Sequence, residues 1–130
     1  LPNLNRGYGP LENIMNTQIE ALLNSIKKDY LDSTTRSSRM LRGDNNMSEI
    51  DKTMIAKFND GLEYKEGKKY IKIISNRSAW GFVVAIDNHS KFKKGDILKS
   101  ASWSSPAMNS ARGNIFEDYI IQWTGPLYLT

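Results

Sequence analysis

The chain has 130 residues, of which 39% are hydrophobic and 25% are charged, and its formal net charge at pH 7 is +4. This length and composition indicate a single globular domain, and no apolar run approaches the roughly 20 residues that a membrane-spanning helix needs. Because the chain contains no cysteine, it can form neither disulfides nor thiolate metal sites, which agrees with a reducing compartment.

The positive charge is concentrated in the second half of the chain. Residues 1–64 carry 8 Lys and Arg against 9 Asp and Glu, a balance of −1, whereas residues 65–130 carry 10 against 5, a balance of +5. Any electrostatic binding surface is therefore expected in the second half, with a solvated lysine-rich surface that only aids solubility as the alternative. The N-terminus lacks the cationic start and apolar stretch of a secretory signal, and because the first residue is leucine, processing or trimming stays open.

The first predicted element is a long amphipathic helix. Pro10 suits the first turn of a helix, because the amide that it lacks would be unpaired there anyway. Apolar residues then recur at spacings of three and four from Leu11 to Tyr30, and the intervening face is polar. This periodicity predicts a helix at about 10–31.

A linker and a second helix are predicted next. Residues 32–47 lose the helical period and fill with hydroxyls, arginines and asparagines, which is typical of a linker. The second helix is predicted at about 48–61, with Ser48 as its N-cap and Gly61 at its end. Residues 1–64 are therefore interpreted as a helical region.

The apolar pattern changes to a period of two after Gly67, which is typical of strands. One strand is predicted at 70–74, followed by a turn at 76–78 and a second strand at 80–86. Further short strands are predicted at 96–101, 113–116 and 119–123. The sequence thus predicts an α+β protein, in which N-terminal amphipathic helices precede a small β-domain at 65–130. That domain is expected to be a strongly bent antiparallel β-sheet or an SH3-like or OB-like barrel.

Five residues of the basic half form the predicted binding surface. Lys91, Lys93 and Lys94 surround a Gly-Asp turn that leads into a strand, and they make its tip cationic. Trp103 supplies a large flat surface within a loop of small residues, and Arg112 can present its guanidinium fork to a phosphate. Cations that neutralise phosphates, beside an aromatic ring that stacks on a base, form a nucleic-acid platform.

An architectural role is the alternative for the same segment. Trp103 would then plug one end of the barrel, and for this residue the sequence favours that alternative. Trp80 and Trp123 lie on patterned strands and are predicted to be core residues. His89 lies in an Asp-Asn-His-Ser turn, where a histidine is usually solvated, so it is not expected to act as a general base. No pattern of residues predicts a metal site or a cofactor.

A resemblance to other proteins rests on five short segments of the second half. These segments are Lys69-Tyr-Ile-Lys, Trp80-Gly-Phe, Phe92-Lys-Lys-Gly-Asp-Ile-Leu, Ala101-Ser-Trp-x-x-Pro-Ala and Ala111-Arg-Gly-Asn-Ile. They resemble segments of small uncharacterised proteins encoded by tailed bacteriophages. The resemblance covers about the C-terminal half of the chain and implies no known activity. It implies a viral product that acts in the cytoplasm of a bacterial host or is carried in a virion.

Three classes of function follow from these observations. The leading hypothesis is a non-catalytic binding module that contacts nucleic acid through its basic C-terminal face. The first alternative is a protein-interaction or virion assembly component, which would bury the apolar stripe of residues 11–31 against a partner or a second copy of the chain. The second alternative is a small enzyme. Neither a cofactor nor a membrane partner is predicted.

Overall fold

Two helices precede six short strands in the part of the chain that the computed structural model describes, residues 10–42 and 48–127. The helices are α1 (Pro10–Arg42) and α2 (Glu49–Asp60). The strands are β1 (Leu62–Glu66), β2 (Tyr70–Ser75), β3 (Ser78–Val84), β4 (Ile97–Lys99), β5 (Ile121–Gln122) and β6 (Gly125–Pro126). The predicted α+β fold class is confirmed.

Helix α1 is longer than predicted. It begins at Pro10, as the sequence indicates, but it continues to Arg42. Residues 32–42 are therefore helical, and the prediction of a linker is wrong for them, while 43–47 lie outside the described residues. The loss of an apolar period did not end the helix, because residues 11–42 contain neither glycine nor proline.

Helix α2 has the predicted ends. The amide of Asp51 donates to Oγ of Ser48 over 3.0 Å, and the amide of Ser48 donates to the Asp51 carboxylate over 3.4 Å, which completes a capping box. At the other end, the amide of Gly61 donates to the carbonyl of Lys57 over 3.0 Å. A Cβ at Gly61 would lie 2.0 Å from Oδ1 of Asn76, so the close approach of the β2–β3 turn favours glycine here.

The strands form two antiparallel sheets. One has the order β1-β2-β3-β4, and the other consists of β5 and β6. The predicted turn between β2 and β3 is confirmed, since Asn76 and Arg77 have φ values of 49° and 69°, the left-handed pair of a two-residue hairpin. Strand β1 was not predicted, and only its first residue, Leu62, is buried. The predicted strand at 113–116 forms only isolated bridges.

Of the two predicted architectures, a bent antiparallel sheet or a small barrel, the described strands form the sheet. The described strands do not close into a barrel, because β1 and β4 lie at opposite ends of the four-stranded sheet and do not pair with each other. Strand β1 is thus an edge strand whose outer backbone groups pair with no described strand.

One apolar core joins the helices to the first face of the four-stranded sheet. Helix α1 contributes five buried residues: Met15, Ile19, Leu22, Leu23 and Ile26. The sheet contributes Leu62, Ile71, Ile73, Trp80, Val83 and Ile97. Trp123 packs against this core, and Trp80 is buried in it, as predicted. The helical region and the β-domain therefore share a core, and the apolar stripe of α1 is buried in it from Met15 to Ile26, whereas Ile14 is 46% exposed.

The second face of the sheet carries a smaller apolar cluster of Phe82, Val84, Phe92 and Leu98. Phe92 belongs to the chain between β3 and β4, and Ala111 from the chain after β4 packs against the same cluster. These two connecting segments, and not a helix, cover the second face. The predicted site residues belong to them.

Candidate functional site

A buried carboxylate organises the turn before β4. Asp96 is 7% exposed, and its carboxylate accepts hydrogen bonds from the amide of Lys93 over 3.0 Å and from Nδ2 of Asn114 over 3.0 Å. Gly95 has a φ of 90°, which glycine adopts without steric cost. The Gly-Asp turn therefore leads into a strand, as the sequence predicts, and it also ties the strand to the chain that follows.

The side chain of Lys93 lies beside acidic groups. Its Nζ is 2.7 Å from Oε2 of Glu117, and the hydrogen bond and charge of this carboxylate raise the pKa of Lys93 above 10.5. Lys94 is half-buried, and its carbonyl accepts a hydrogen bond from Asn114 over 2.9 Å. A cavity of about 280 Å³ beside Lys93 is also lined by three carboxylates: Asp96, Glu117 and Asp118. Lys93 therefore belongs to a surface of mixed charge.

Arg112 is not a surface residue. Its side chain is buried, with 2% of the residue exposed. Its Nε donates to the carbonyl of Ser110 over 3.3 Å, and its Nη2 lies 3.5 Å from Oδ1 of Asn109. Its own amide donates to the carbonyl of Ile97 over 2.7 Å, which holds it beside β4. The structure therefore does not bring Arg112 to the surface where the sequence predicts a phosphate contact, because its side chain is buried and bonded within its own loop.

Trp103 is exposed on the second face of the sheet. It is 48% exposed, so the barrel plug that the sequence favoured for it is wrong. Ser100 pairs with Pro106 across the base of the loop, and Oγ of Ser100 donates to the carbonyl of Ala79 on β3 over 2.8 Å. These contacts anchor the loop to the sheet. The ring of Trp103 then lies over β2, with Nζ of Lys72 3.9 Å from its centroid, a cation–π contact.

A lysine-rich groove lies beside this contact. It has a volume of about 300 Å³ and is lined by the β1–β2 hairpin, by Phe82 and by Ser104, the neighbour of Trp103. We call it the lysine groove, after its four lysines: Lys65, Lys68, Lys69 and Lys72. The strand register produces it, because Lys65 pairs with Lys72 and Lys72 pairs with Phe82, so that these three side chains share one face.

The charge of the lysine groove is poorly compensated. Two like charges face each other where Lys65 pairs with Lys72, an arrangement that is unfavourable across a sheet. The single acidic residue of the lining is Glu66. Within the described residues, none of the four groove lysines forms an ion pair. An anion bound in the groove would relieve this repulsion.

A hydrogen-bonded network extends the surface from the groove to Lys91. Nδ1 of His89 accepts from the amides of Lys91 over 3.0 Å and Phe92 over 3.2 Å, so the ring proton is on Nε2. Nε2 lies 2.8 Å from the hydroxyl of Tyr70, which lines the groove and in turn contacts the sulfur of Met108. Nζ of Lys91 donates to the carbonyl of Met108. His89 is therefore a structural residue, and not the solvated side chain that its turn suggests.

Comparison with known proteins gives one match. Residues 10–126 match the model of a family of unknown function, DUF7717. The chain belongs to this family. No curated protein and no solved structure matches the chain. The match to this family assigns no activity to the chain, and it gives no evidence on nucleic-acid binding or on a viral origin.

Within the described residues of this DUF7717 chain, no group of three or more His, Asp or Glu side chains is placed to hold a metal ion. Among the described helices, none is long and apolar enough to cross a membrane.

The four lysines of the groove in this DUF7717 chain were not predicted as site residues, although the sequence contains a signal for them. Residues 65–72 contain four lysines against one acidic residue, Glu66. The alternation of this segment predicts a strand, but it does not indicate which loop lies over the strand. The contact between Lys72 and Trp103 joins residues that are far apart in the sequence, and only the folded chain brings them together.

Proposed function

We propose that the protein is a non-catalytic binding module that contacts nucleic acid through the lysine groove and Trp103. The observation that carries this proposal is the ring of Trp103 beside a groove whose four lysines have no ion-pair partner within the described residues. Ammonium groups on flexible stems neutralise phosphates without requiring a fixed geometry. An exposed indole next to them offers a base a surface on which to stack.

The proposal keeps part of the predicted site and changes the rest. Trp103 and Lys91 stay, because both are exposed. Trp103 contacts Lys72 of the groove, and Lys91 bonds to Met108, which in turn contacts Tyr70 of the groove lining. Lys93 is peripheral, because its charge is already paired with Glu117. Arg112 leaves the site because it is buried, and Lys94 is half-buried away from the groove lining. The positive charge of the surface thus comes mainly from the β1–β2 hairpin.

The test is the binding of a fluorescently labelled oligonucleotide of about 12 nucleotides, followed by anisotropy between about 50 and 200 mM salt. The Lys68→Ala/Lys69→Ala double variant removes two groove charges. We expect it to weaken binding and to reduce the slope of log K against log salt by about 1.4, since each phosphate contact with a single strand contributes about 0.7.

The matched control is the Lys52→Ala/Lys57→Ala double variant, which removes the same charge from exposed positions of α2. It should leave the slope unchanged, because α2 contributes no residue to the groove. The proposal is refuted if the oligonucleotide does not bind at about 50 mM salt, or if the control variant weakens binding as much as the groove variant.

The assembly alternative has less support from the structure than nucleic-acid binding has. It depended on an apolar stripe in residues 11–31, and that stripe is used by the core from Met15 to Ile26. An assembly role would need another surface. Catalysis has no better candidate than His89, whose two ring nitrogens are engaged in hydrogen bonds. Action in the cytoplasm of a bacterial host or in a virion stays a prediction from the sequence resemblance.

A further inference from the structure

We infer that the lysine groove takes an unpaired strand of nucleic acid and does not take a duplex. This inference rests on the proposed function and narrows its ligand. The first observation behind it is the position of Trp103. The residue is 48% exposed, and the serines on either side of it are exposed as well, so the indole projects from its loop. A projecting indole stacks only on a base whose face is open, and in a duplex both faces of each base, apart from those at the two ends, are covered by neighbours.

The loop that carries Trp103 is held in place, so the ring does not need to be ordered when a ligand binds. The amides of Ala101 and Ser102 both donate to the carbonyl of Ser105, over 3.0 Å and 3.1 Å. The ammonium of Lys72 lies against the ring at 3.9 Å. A base that stacks on the exposed part of the indole would therefore have its phosphate close to the groove lysines. Stacking and charge neutralisation would act on neighbouring atoms of one strand.

The second observation is the shape of the charged surface. Lys65 and Lys72 are direct neighbours across two strands, and Lys68 and Lys69 lie in the short connection between those strands. The charge of the four groove lysines thus lies on one hairpin, beside a groove of about 300 Å³. Such a cluster fits a few nucleotides of one strand better than the two separated backbones of a duplex.

The third observation concerns the elements that usually enter a duplex. Recognition of double-stranded DNA commonly places an exposed helix in the major groove. Here the apolar face of α1 packs on the first face of the sheet, and Phe58 of α2 belongs to the same core. The lysine groove lies on the second face, with Phe82. Neither helix is therefore placed to enter a duplex that contacts the groove.

The experiment compares four ligands of equal length and label on the unmodified chain. They are a single strand, the duplex of the same sequence, a single strand without bases, and a duplex with a single-stranded overhang. We expect the single strand to bind at least about tenfold more tightly than the duplex, and the strand without bases to lose about the same factor, because one stacked base supplies that difference. The overhang should restore tight binding.

Variants of Trp103 separate stacking from charge. Trp103→Ala should weaken single-strand binding about tenfold and leave duplex binding unchanged, whereas Trp103→Phe should keep most of the affinity, since its ring still stacks. Because the residue is exposed, both variants should retain the melting temperature of the parent. Binding of the single strand should also quench tryptophan fluorescence, and the quench should be lost in Trp103→Phe.

The two proposals fail in different ways. Equal binding of duplex and single strand, with no effect of Trp103→Ala, would overturn the inference and the part of Trp103 in the proposed function, and it would leave nucleic-acid binding through the groove lysines intact. Equal binding of strands with and without bases would also overturn it, since charge alone would then account for the affinity. No binding of any ligand at about 50 mM salt would refute the proposed function itself.

Discussion

Replacement of Phe58 tests whether α2 is locked to the rest of the fold by an aromatic cluster. Phe58 is 3% exposed, and its ring stacks on that of Tyr30 with centroids 4.1 Å apart and planes 2° apart. The ring of Trp123 meets it edge-on at 6.0 Å. The three rings come from α1, α2 and the turn between β5 and β6, so this cluster joins three segments that lie far apart in the sequence.

The expected effect of Phe58→Ala is a loss of about 4 kcal/mol in the free energy of unfolding, because the variant removes a buried ring and leaves a cavity. An unfolding entropy of about 2.1 cal/mol/K per residue amounts to about 0.27 kcal/mol/K for a chain of 130 residues. The melting temperature should therefore fall by about 15 °C. Phe58→Leu keeps most of the apolar volume and loses the ring contacts, so it should cost about 1 to 2 kcal/mol.

The assay is thermal and urea unfolding, followed by tryptophan fluorescence, since Trp123 lies in the same cluster. Met54→Ala is the control, because Met54 is one helical turn earlier in α2 and 47% exposed. It should change the stability by no more than about 0.5 kcal/mol. If Phe58→Ala lowers the melting temperature no further than Met54→Ala does, α2 is not held by the aromatic cluster and the reasoning is wrong.

Two further predictions concern a buried hydrogen-bond network and a titrating tyrosine. Asn114→Ala removes three hydrogen bonds of a side chain that is 4% exposed, so the free energy of unfolding in urea should fall by about 2 to 3 kcal/mol. The control is Lys99→Ala at an exposed position, which should cost about 0.5 kcal/mol or less. Equal losses for the two variants would contradict the network. Burial is the main cause that raises the pKa of Tyr64 above its ordinary value of 10.0, and the charges of Glu20 and Glu66 raise it further. The neutral phenol therefore contributes stability below pH 10.0, and this contribution is lost as the pH rises through the folded-state pKa. Tyr64→Phe should remove a late-titrating phenol from the ultraviolet absorbance titration and reduce alkaline destabilisation, and an unchanged end of the titration would show that another tyrosine is responsible.

Local patterns in the sequence predicted a large part of the fold. The N-cap at Ser48 and the hairpin turn at Asn76 depend on residues within four positions of each other, so both could be predicted from the sequence. The edge strand β1 escaped prediction because only one of its five residues, Leu62, is buried. An edge strand that is exposed to solvent on much of its surface has few apolar residues to mark it in the sequence, and its pairing with β2 is seen only in the tertiary structure.

The candidate site was predicted only in part. The basic second half and the aromatic ring of Trp103 are visible in the composition and the motif. The exposure of each residue is not visible. Arg112 was expected to present its guanidinium at the surface, but the carbonyl of Ser110 and Oδ1 of Asn109 accept hydrogen bonds from that group, and the residue is buried. The opposite holds for Trp103, which was expected inside and lies outside.

The sequence by itself determined what depends on neighbours along the chain: the apolar stripe of α1, the ends of α2, the hairpin turn and the sign of the charge in each half. Only the tertiary structure decided which lysines meet the aromatic ring. Lys72 and Trp103 are 31 residues apart, and their contact requires the register of β2 with β3 and the anchoring of the loop at Ser100. Periodicity and capping act over a few residues, whereas a binding surface is assembled from segments that only the folded chain brings together.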